Sequence, residues 1–291
     1  MHNINIKINN NYGILYVVAT PIGNINDITY RAIEVLSAAY IVATEDTRHS
    51  KKLLNHYGIK TKQISYHKHN EQERVEYLIN LLLEGKNVAL ISDAGTPAIS
   101  DPGDIIITEA HKKNIVVSPI PGASSVISAI SCSGQAANDF KFIGFLPKKV
   151  SQKIDILKKN DNNDYSLIFF ESPNRVVNTL DEIKKLYNGD KTIIIAREIT
   201  KIYEDVKIFT IDQWLEYFSL NNNEKQKGEL VVIIPRVDKV ENNASEREIE
   251  DFIILLLKND IPYNAAIKVT SKHYDINKNL IYKKHMNLAK K

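Results

Sequence analysis

A chain of 291 residues with 43% hydrophobic side chains has material for two ordinary domains, or for one domain and an extension, which excludes a wholly disordered protein. Its 38 Lys and Arg against 35 Asp and Glu leave a net charge of +3, so affinity for nucleic acid has to come from local clusters and not from bulk charge. A single cysteine, Cys132, excludes an internal disulfide framework and a multi-cysteine zinc site, and the polar start "MHNINIKINNNYG" with no apolar run near the roughly 18 to 20 residues of a membrane span predicts a soluble, cytoplasmic protein.

"YGILYVVAT" (12–20) is a β-branched apolar run closed by Pro21 and Gly23, which predicts a buried strand and a turn. A helix follows in "INDITYRAIEVLSAA", with Asp27 as its expected cap. The alternation repeats: "YIVATED" as strand, "TRHSKKLLNHYG" as helix closed by Gly58, "KQISYH" as strand, "NEQERVEYLINLLLEG" as an amphipathic helix ended by Gly85. "NVALIS" is the next strand, "GDIIITEAHKKN" the next helix, and "IVVSPIPG" a strand running into a Pro-Gly turn. Such βαβ alternation predicts a mainly parallel sheet over residues 12–121, with ligands outside the carboxyl ends of its strands. Three Gly-bearing loops lie at such ends: "ATPIGN", "DAGTPAISDPG" and "IPGASS".

Beyond them, "FKFIGFLP", "YSLIFFESP", "KTIIIARE", "VKIFTI" and "GELVVIIP" follow one another more closely, with fewer helices between. They predict a second α/β domain over 122–237 with a more antiparallel sheet, and a crevice between the two domains. "RVDKVENNASE" reads as a linker, and 245–291 as a small helical appendix whose first helix, carrying Phe252, Ile253 and Leu255 to Leu257, is expected to pack on the main body or on a dimer partner.

The loop at 93–103 has neither the Lys of a P-loop nor a G-x-G-x-x-G fingerprint. Gly95 and Gly103 allow close backbone approach, and Asp93, Asp101 and Asp104 favour a cationic or donor-rich ligand, the alternative being a plain turn. "TEDTRHSKK" sets Glu45, Asp46, Arg48 and His49 at a strand end, able either to polarise a hydroxyl and hold a phosphate or to form only an N-cap and a surface pair. His67 and His69 face one side of a strand but lack further ligands, so no metal is expected. "FFESPNR" and "AREITKIYE" each place an acid at a strand end with a base close behind, through Glu171 and Arg175, and through Arg197, Glu198 and Lys201. From Lys258 to Lys291 there are eight Lys against Asp260 and Asp275, with Tyr263, Tyr274 and Tyr282 interleaved, which suits nucleic acid or merely a solvated face.

The strings "LYVVATPIGNINDITYRAIEVL", "TEDTRHSKKLL", "SDAGTPAISDPG", "PGASSVISAI", "GFLPKK", "FFESPNR", "AREITKIYE" and "KGELVVIIP", collinear over about residues 14 to 235, resemble the tetrapyrrole methylase superfamily. Within it they resemble the ribosomal RNA small subunit methyltransferase I group. The resemblance implies a two-domain α/β fold, a homodimer, S-adenosyl-L-methionine in the interdomain crevice, and 2′-O-methylation of a cytidine ribose in the decoding region of small-subunit ribosomal RNA. Carried over by position, the cofactor would meet Ile22, Thr96, Ile99, Gly122, Ala123, Ser124, Ser125, Phe170, Ala196 and Leu230, with Asp93 as an electrostatic partner. Glu45, Asp46, Glu171 and Glu198 are the candidate bases, with Arg48 beside them in the catalytic set. Arg175, Arg197 and Lys201 are available for RNA phosphates, together with Lys268, Lys272, Lys283 and Lys284 of the appendix. A tetrapyrrole methyltransferase and a non-catalytic RNA-binding assembly factor are the alternatives.

Overall fold

A computed structural model of the chain describes residues 11–134, 139–160, 165–220, 228–236, 245–274, 276–286 and 288. It divides into two compact units, residues 1–236 and 237–291.

The first unit opens with five parallel strands: β1 (Leu15–Val18), β2 (Ile41–Thr44), β3 (Gln63–Ser65), β4 (Val88–Ile91) and β5 (Val117–Ile120), in the order β3-β2-β4-β1-β5. Between them run α1 (Tyr30–Ala38), α2 (Thr47–His56), α3 (Glu71–Leu83) and α4 (Asp104–Lys112), and α5 (Ser125–Ser133) follows β5. Strand side chains alternate between faces, so Val88 and Leu90 pack with Leu78, Leu82 and Ile106 of α3 and α4, while Ala89 and Ile91 pack with Ala32, Leu36 and Leu54 of α1 and α2. Burial on both faces explains why "VALI" is apolar throughout. Leaving β1 the chain moves toward β2, and leaving β4 it crosses to β5. The ends of the adjacent strands β1 and β4 are therefore a topological switch point, where α/β sheets form crevices.

The second sheet has β6 (Phe140–Phe145), β7 (Ser166–Glu171), β8 (Thr192–Arg197), β9 (Asp205–Thr210) and β10 (Leu230–Ile234), in the order β6-β7-β10-β8-β9. Only β6 and β7 pair in parallel; β7-β10, β10-β8 and β8-β9 are antiparallel. Helices α6 (Val150–Lys159), α7 (Pro173–Tyr187) and α8 (Ile211–Leu220) occupy every connection except the β8-β9 hairpin. One face of this sheet packs on α6 to α8 through Leu157, Phe169, Leu180, Ile183, Trp214 and Val232. Its other face, through Ile168, Ile194, Val231 and Ile233, receives Val126, Ala129 and Ile130 of α5 and Ile22 of the loop after β1. That second contact holds the two sheets together.

Local chemistry differs from expectation in two places. Asp27 does not cap α1: it sits in a 3-10 turn over Ile25–Asp27, and the Thr29 side chain accepts the Ala32 N–H at 3.2 Å instead. The strand expected through His67 stops at Ser65, because the Asn70 side-chain oxygen Oδ1 accepts the His67 N–H at 2.8 Å and bends the chain into α3.

The second unit consists of α9 (Glu246–Lys258), α10 (Tyr263–Tyr274) and α11 (Lys278–Lys284). A capping box between Ser245 and Glu248 starts α9. Ile249 and Ile253 pack on Ile267, Ile281 and Leu288, and Phe252 stacks on His273 at 4.6 Å. The apolar face of α9 thus finds its partners inside the unit.

Candidate active site

The three Gly-bearing loops meet. Thr20 and Gly95 exchange backbone hydrogen bonds of 2.9 and 3.0 Å, joining the loop after β1 to the loop after β4. The Thr96 hydroxyl donates to the Ala123 carbonyl at 3.4 Å and ties in the turn before α5, whose N-terminus Ser124 caps. Glycine is required at position 95: its φ is 78°, and a Cβ there would lie 3.3 Å from Ile22. Ala98 and Ser100 in the same loop hold φ of 67° and 70°, a conformation that side-chain-bearing residues seldom adopt.

Between these loops and the second sheet lies a cavity of about 370 Å³. Its first-sheet wall is Ile22, Asp93 to Thr96, Ile99 to Asp101 and Ser124 to Val126; its second-sheet wall is Phe145, Phe170 to Pro173, Ile199 and Gly228 to Val231. An adjoining cavity of about 330 Å³ shares Ile22, Asp93, Ala94 and Glu229 and adds His49, Lys52 and Lys201. Among the described residues no Lys or Arg lines the first cavity, whereas Asp93 and Asp101 do, with apolar Ile22 on their own wall and Phe170 and Leu230 on the other. Such a lining suits a phosphate-free ligand that is cationic at one end and aromatic at the other.

Ile22, Asp93, Thr96, Ile99, Ser124, Ser125, Phe170 and Leu230 thus come together on one cavity. Gly122, Ala123 and Ala196 do not line it. Gly122 packs against Ala19, Ala123 contributes its carbonyl to Thr96, and Ala196 is fully buried in the core that backs the second-sheet wall. Phe145 and Asp101 line the cavity without having been singled out as cofactor or catalytic positions. The β6-β7 register shifts between Phe142 and Phe145, where Gly144 has φ 68°, and this bulge presents Phe145 to Phe170, ring centroids 5.2 Å apart. A glycine inside a strand pattern was the available signal.

The candidate acids divide by their partners. Asp46 caps α2, accepting the Arg48 N–H at 2.8 Å and pairing with the Arg48 guanidinium at 2.9 Å. That side-chain bond brings its carboxyl down to about 2, so Asp46 and Arg48 form a cap and a surface pair. Glu171 is 1% exposed and accepts from the Ser172 N–H (2.8 Å) and the Thr179 hydroxyl (2.7 Å), with Arg175 Nε at 3.2 Å. Arg175 also donates to the carbonyls of Leu146 and Pro147, at 2.8 and 3.3 Å, so this pair braces the cavity wall; neither member is left for a proton transfer or a phosphate. Glu198 accepts from Lys201 at 2.8 Å and from the Glu229 N–H at 3.2 Å. Burial works to raise its carboxyl, but the hydrogen bonds from Lys201 and the Glu229 N–H, together with the charges of Lys201 and Arg197, outweigh it and lower it. Lys201 is further engaged by Glu229 at 3.5 Å, and Arg197 ends β8 in register with Asp205 and Leu230.

Glu45 is half-buried, and its carboxyl is raised by burial and then by the charge of Asp93, with Lys68 and His67 pulling the other way. Asp101 is pushed up to about 6 by burial, and next by the charge of Glu45. Lys268, Lys272 and Lys283 are exposed on α10 and α11, and Lys284 is exposed but paired with Glu246.

Residues 14–214 match the family of tetrapyrrole (corrin/porphyrin) methylases. The chain is 41% identical over 270 residues to the Ribosomal RNA small subunit methyltransferase I of Haemophilus influenzae, covering 93% of this chain and 95% of that one. It is 44% identical over 242 residues to the protein of that name from Halalkalibacterium halodurans, covering 82% and 79%. The chain therefore belongs to the tetrapyrrole methylases and, among them, to the Ribosomal RNA small subunit methyltransferase I family. The solved structure of a cobalt precorrin-4 methyltransferase from cobalamin biosynthesis aligns with a TM-score of 0.56 at 18% identity, over 76% of this chain and 94% of that one, and so shares the fold.

Proposed function

We propose that this chain uses S-adenosyl-L-methionine to methylate the ribose 2′-hydroxyl of a cytidine in the decoding region of small-subunit ribosomal RNA, working as a cytoplasmic homodimer. The observation that carries the proposal is the cavity at the switch point, with Asp93 and Asp101 on its wall and no cation lining it among the described residues. S-adenosyl-L-methionine, when bound, supplies a methyl group on a sulfonium carrying a leaving thioether. Asp93 would face its cationic groups, while Ile22, Phe170 and Leu230 would cover its apolar parts and keep water out. The Thr20–Gly95 bridge would hold the loops of the first wall together, and the Arg175 brace would do the same for the second wall. The adjoining cavity, with His49, Lys52 and Lys201, would admit the nucleotide from the side where Asp93 is common to both. In the second unit, the exposed Lys268, Lys272 and Lys283 would add phosphate contacts.

The test is incubation of the protein with methyl-labelled S-adenosyl-L-methionine and small ribosomal subunits from cells lacking the modification. Label in the RNA is expected. Tight cofactor binding with no label in RNA, or label moving to a tetrapyrrole instead, would overturn the proposal.

A further inference from the structure

Seven carboxylates lie on or just behind the cavity, and nearly all are held by other work. Asp46 caps α2, Glu171 is sealed among three donors, and Glu198 is bound to Lys201 and the Glu229 N–H. Glu229 has a side chain that is 77% exposed and is turned toward Lys201. Asp93 accepts the Asp46 N–H at 3.1 Å, which fixes the first turn of α2 to the loop after β4. Glu45 is not among the residues that line the cavity. That leaves Asp101, which lines the cavity beside Ser100, whose φ is 70°.

We propose that Asp101, on the cavity wall, is the carboxylate that takes the proton from the attacking ribose hydroxyl. This rests on the function proposed above and names the base for it. In the step, the ribose oxygen forms a bond to the methyl carbon and the carbon–sulfur bond breaks, its electron pair staying on the sulfur of the leaving thioether. The hydroxyl proton passes to an Asp101 Oδ, so the site loses one positive and one negative charge together. The groups facing Asp101 are the Glu45 carboxylate from the end of β2, the Asp93 carboxylate and Ser92 hydroxyl from the end of β4, and the Lys68 ammonium from the turn before α3. Burial and the two like charges raise its carboxyl, while Lys68 and Ser92 limit the rise; the balance leaves it ionised at neutral pH yet far more basic than a surface aspartate.

The experiment compares wild type with Asp101→Asn and Glu45→Gln, using small ribosomal subunits as substrate, calorimetric titration of S-adenosyl-L-methionine, and urea unfolding. Asp101→Asn should lower kcat by about a hundredfold or more, leaving the cofactor Kd within about threefold. The wild-type rate should climb through about pH 6 and level off, Asp101→Asn should lose that limb, and Glu45→Gln should move it to lower pH. Independently of turnover, the urea midpoint of Asp101→Asn should exceed that of wild type at about pH 8 and equal it at about pH 4. A parallel loss of cofactor affinity would make Asp101 a cofactor ligand, and a surviving pH limb would exclude it as the base; either overturns the proposal. Wild-type protein that transfers no methyl to RNA, while the urea midpoints behave as stated, would instead sink the parent reading and the proton role with it.

Discussion

In a Glu171→Ala variant the Ser172 N–H, the Thr179 hydroxyl and Arg175 Nε lose a common acceptor that is 1% exposed. Removing one member of a buried ion pair costs about 3 to 5 kcal/mol. Arg175 is 25% exposed and keeps the Leu146 and Pro147 carbonyls, which places its share near the low end, about 3 kcal/mol. Thr179 retains the Lys153 Nζ contact at 3.0 Å but loses its own acceptor, for about 1 kcal/mol more. A total of about 4 kcal/mol is a large part of a usual domain stability and corresponds to a fall in Tm of roughly 10 °C. Glu171→Gln keeps the volume and an acceptor oxygen and should cost only about 1 to 2 kcal/mol. The single tryptophan, Trp214, is 3% exposed in the core of the second sheet, so its fluorescence under urea reports unfolding of the first unit. Methyl transfer measured well below both midpoints should then be within about threefold of wild type for Glu171→Gln. A Glu171→Gln protein with the wild-type midpoint and no activity would refute the bracing role and return Glu171 to the reaction.

Three further outcomes follow from the same geometry. Gly228 has φ 100° and a Cβ there would clash with the Glu198 carboxylate, so Gly228→Ala should displace Glu198 from Lys201 and weaken cofactor binding by about tenfold, read by calorimetry. Asp101 is raised in the folded state, so its contribution to stability is full below about pH 4 and is lost as pH rises through about 6. The shift is worth about 3 kcal/mol before screening and about 1 kcal/mol for a group this exposed, so Asp101→Asn should be more stable than wild type by that amount at about pH 8, by urea titration. Replacing Lys268, Lys272 and Lys283 together by Ala should weaken RNA binding and reduce its salt-dependence slope by about 2 to 3, with cofactor affinity unchanged; equal loss of both would assign these lysines a structural role.

The strands and their alternation with helices were legible because a sheet buried on both faces demands continuous β-branched runs, as in "VALI" and "LVVII". The cavity loops were legible because Gly95 must adopt a positive φ at a strand end. Side-chain direction was not. Ala196 and Leu230 both belong to apolar strands, and residue type does not tell that the first is fully buried in the core against α5 while the second, at the start of β10, reaches the cavity. Phe145 depends on a bulge that shifts the parity of β6. Glu171 and Arg175 read as a reactive pair because residue types carry no burial: the same two side chains would be functional at the surface and are a brace where α7 packs over them. Asp46 went the other way, since an Asp one residue before "TRHSKK" is a cap by its position alone.

The most direct test of the central claim is nucleoside mapping of the labelled RNA. After transfer from methyl-labelled S-adenosyl-L-methionine to unmodified small subunits, the RNA is digested to nucleosides and the label located by mass spectrometry, with Gly228→Ala as the cavity control. The cavity account predicts label in 2′-O-methylcytidine at a single decoding-region position, and its loss in the variant at cofactor concentrations below the variant's Kd. Label on a base, or transfer undiminished by the variant under those conditions, would contradict it.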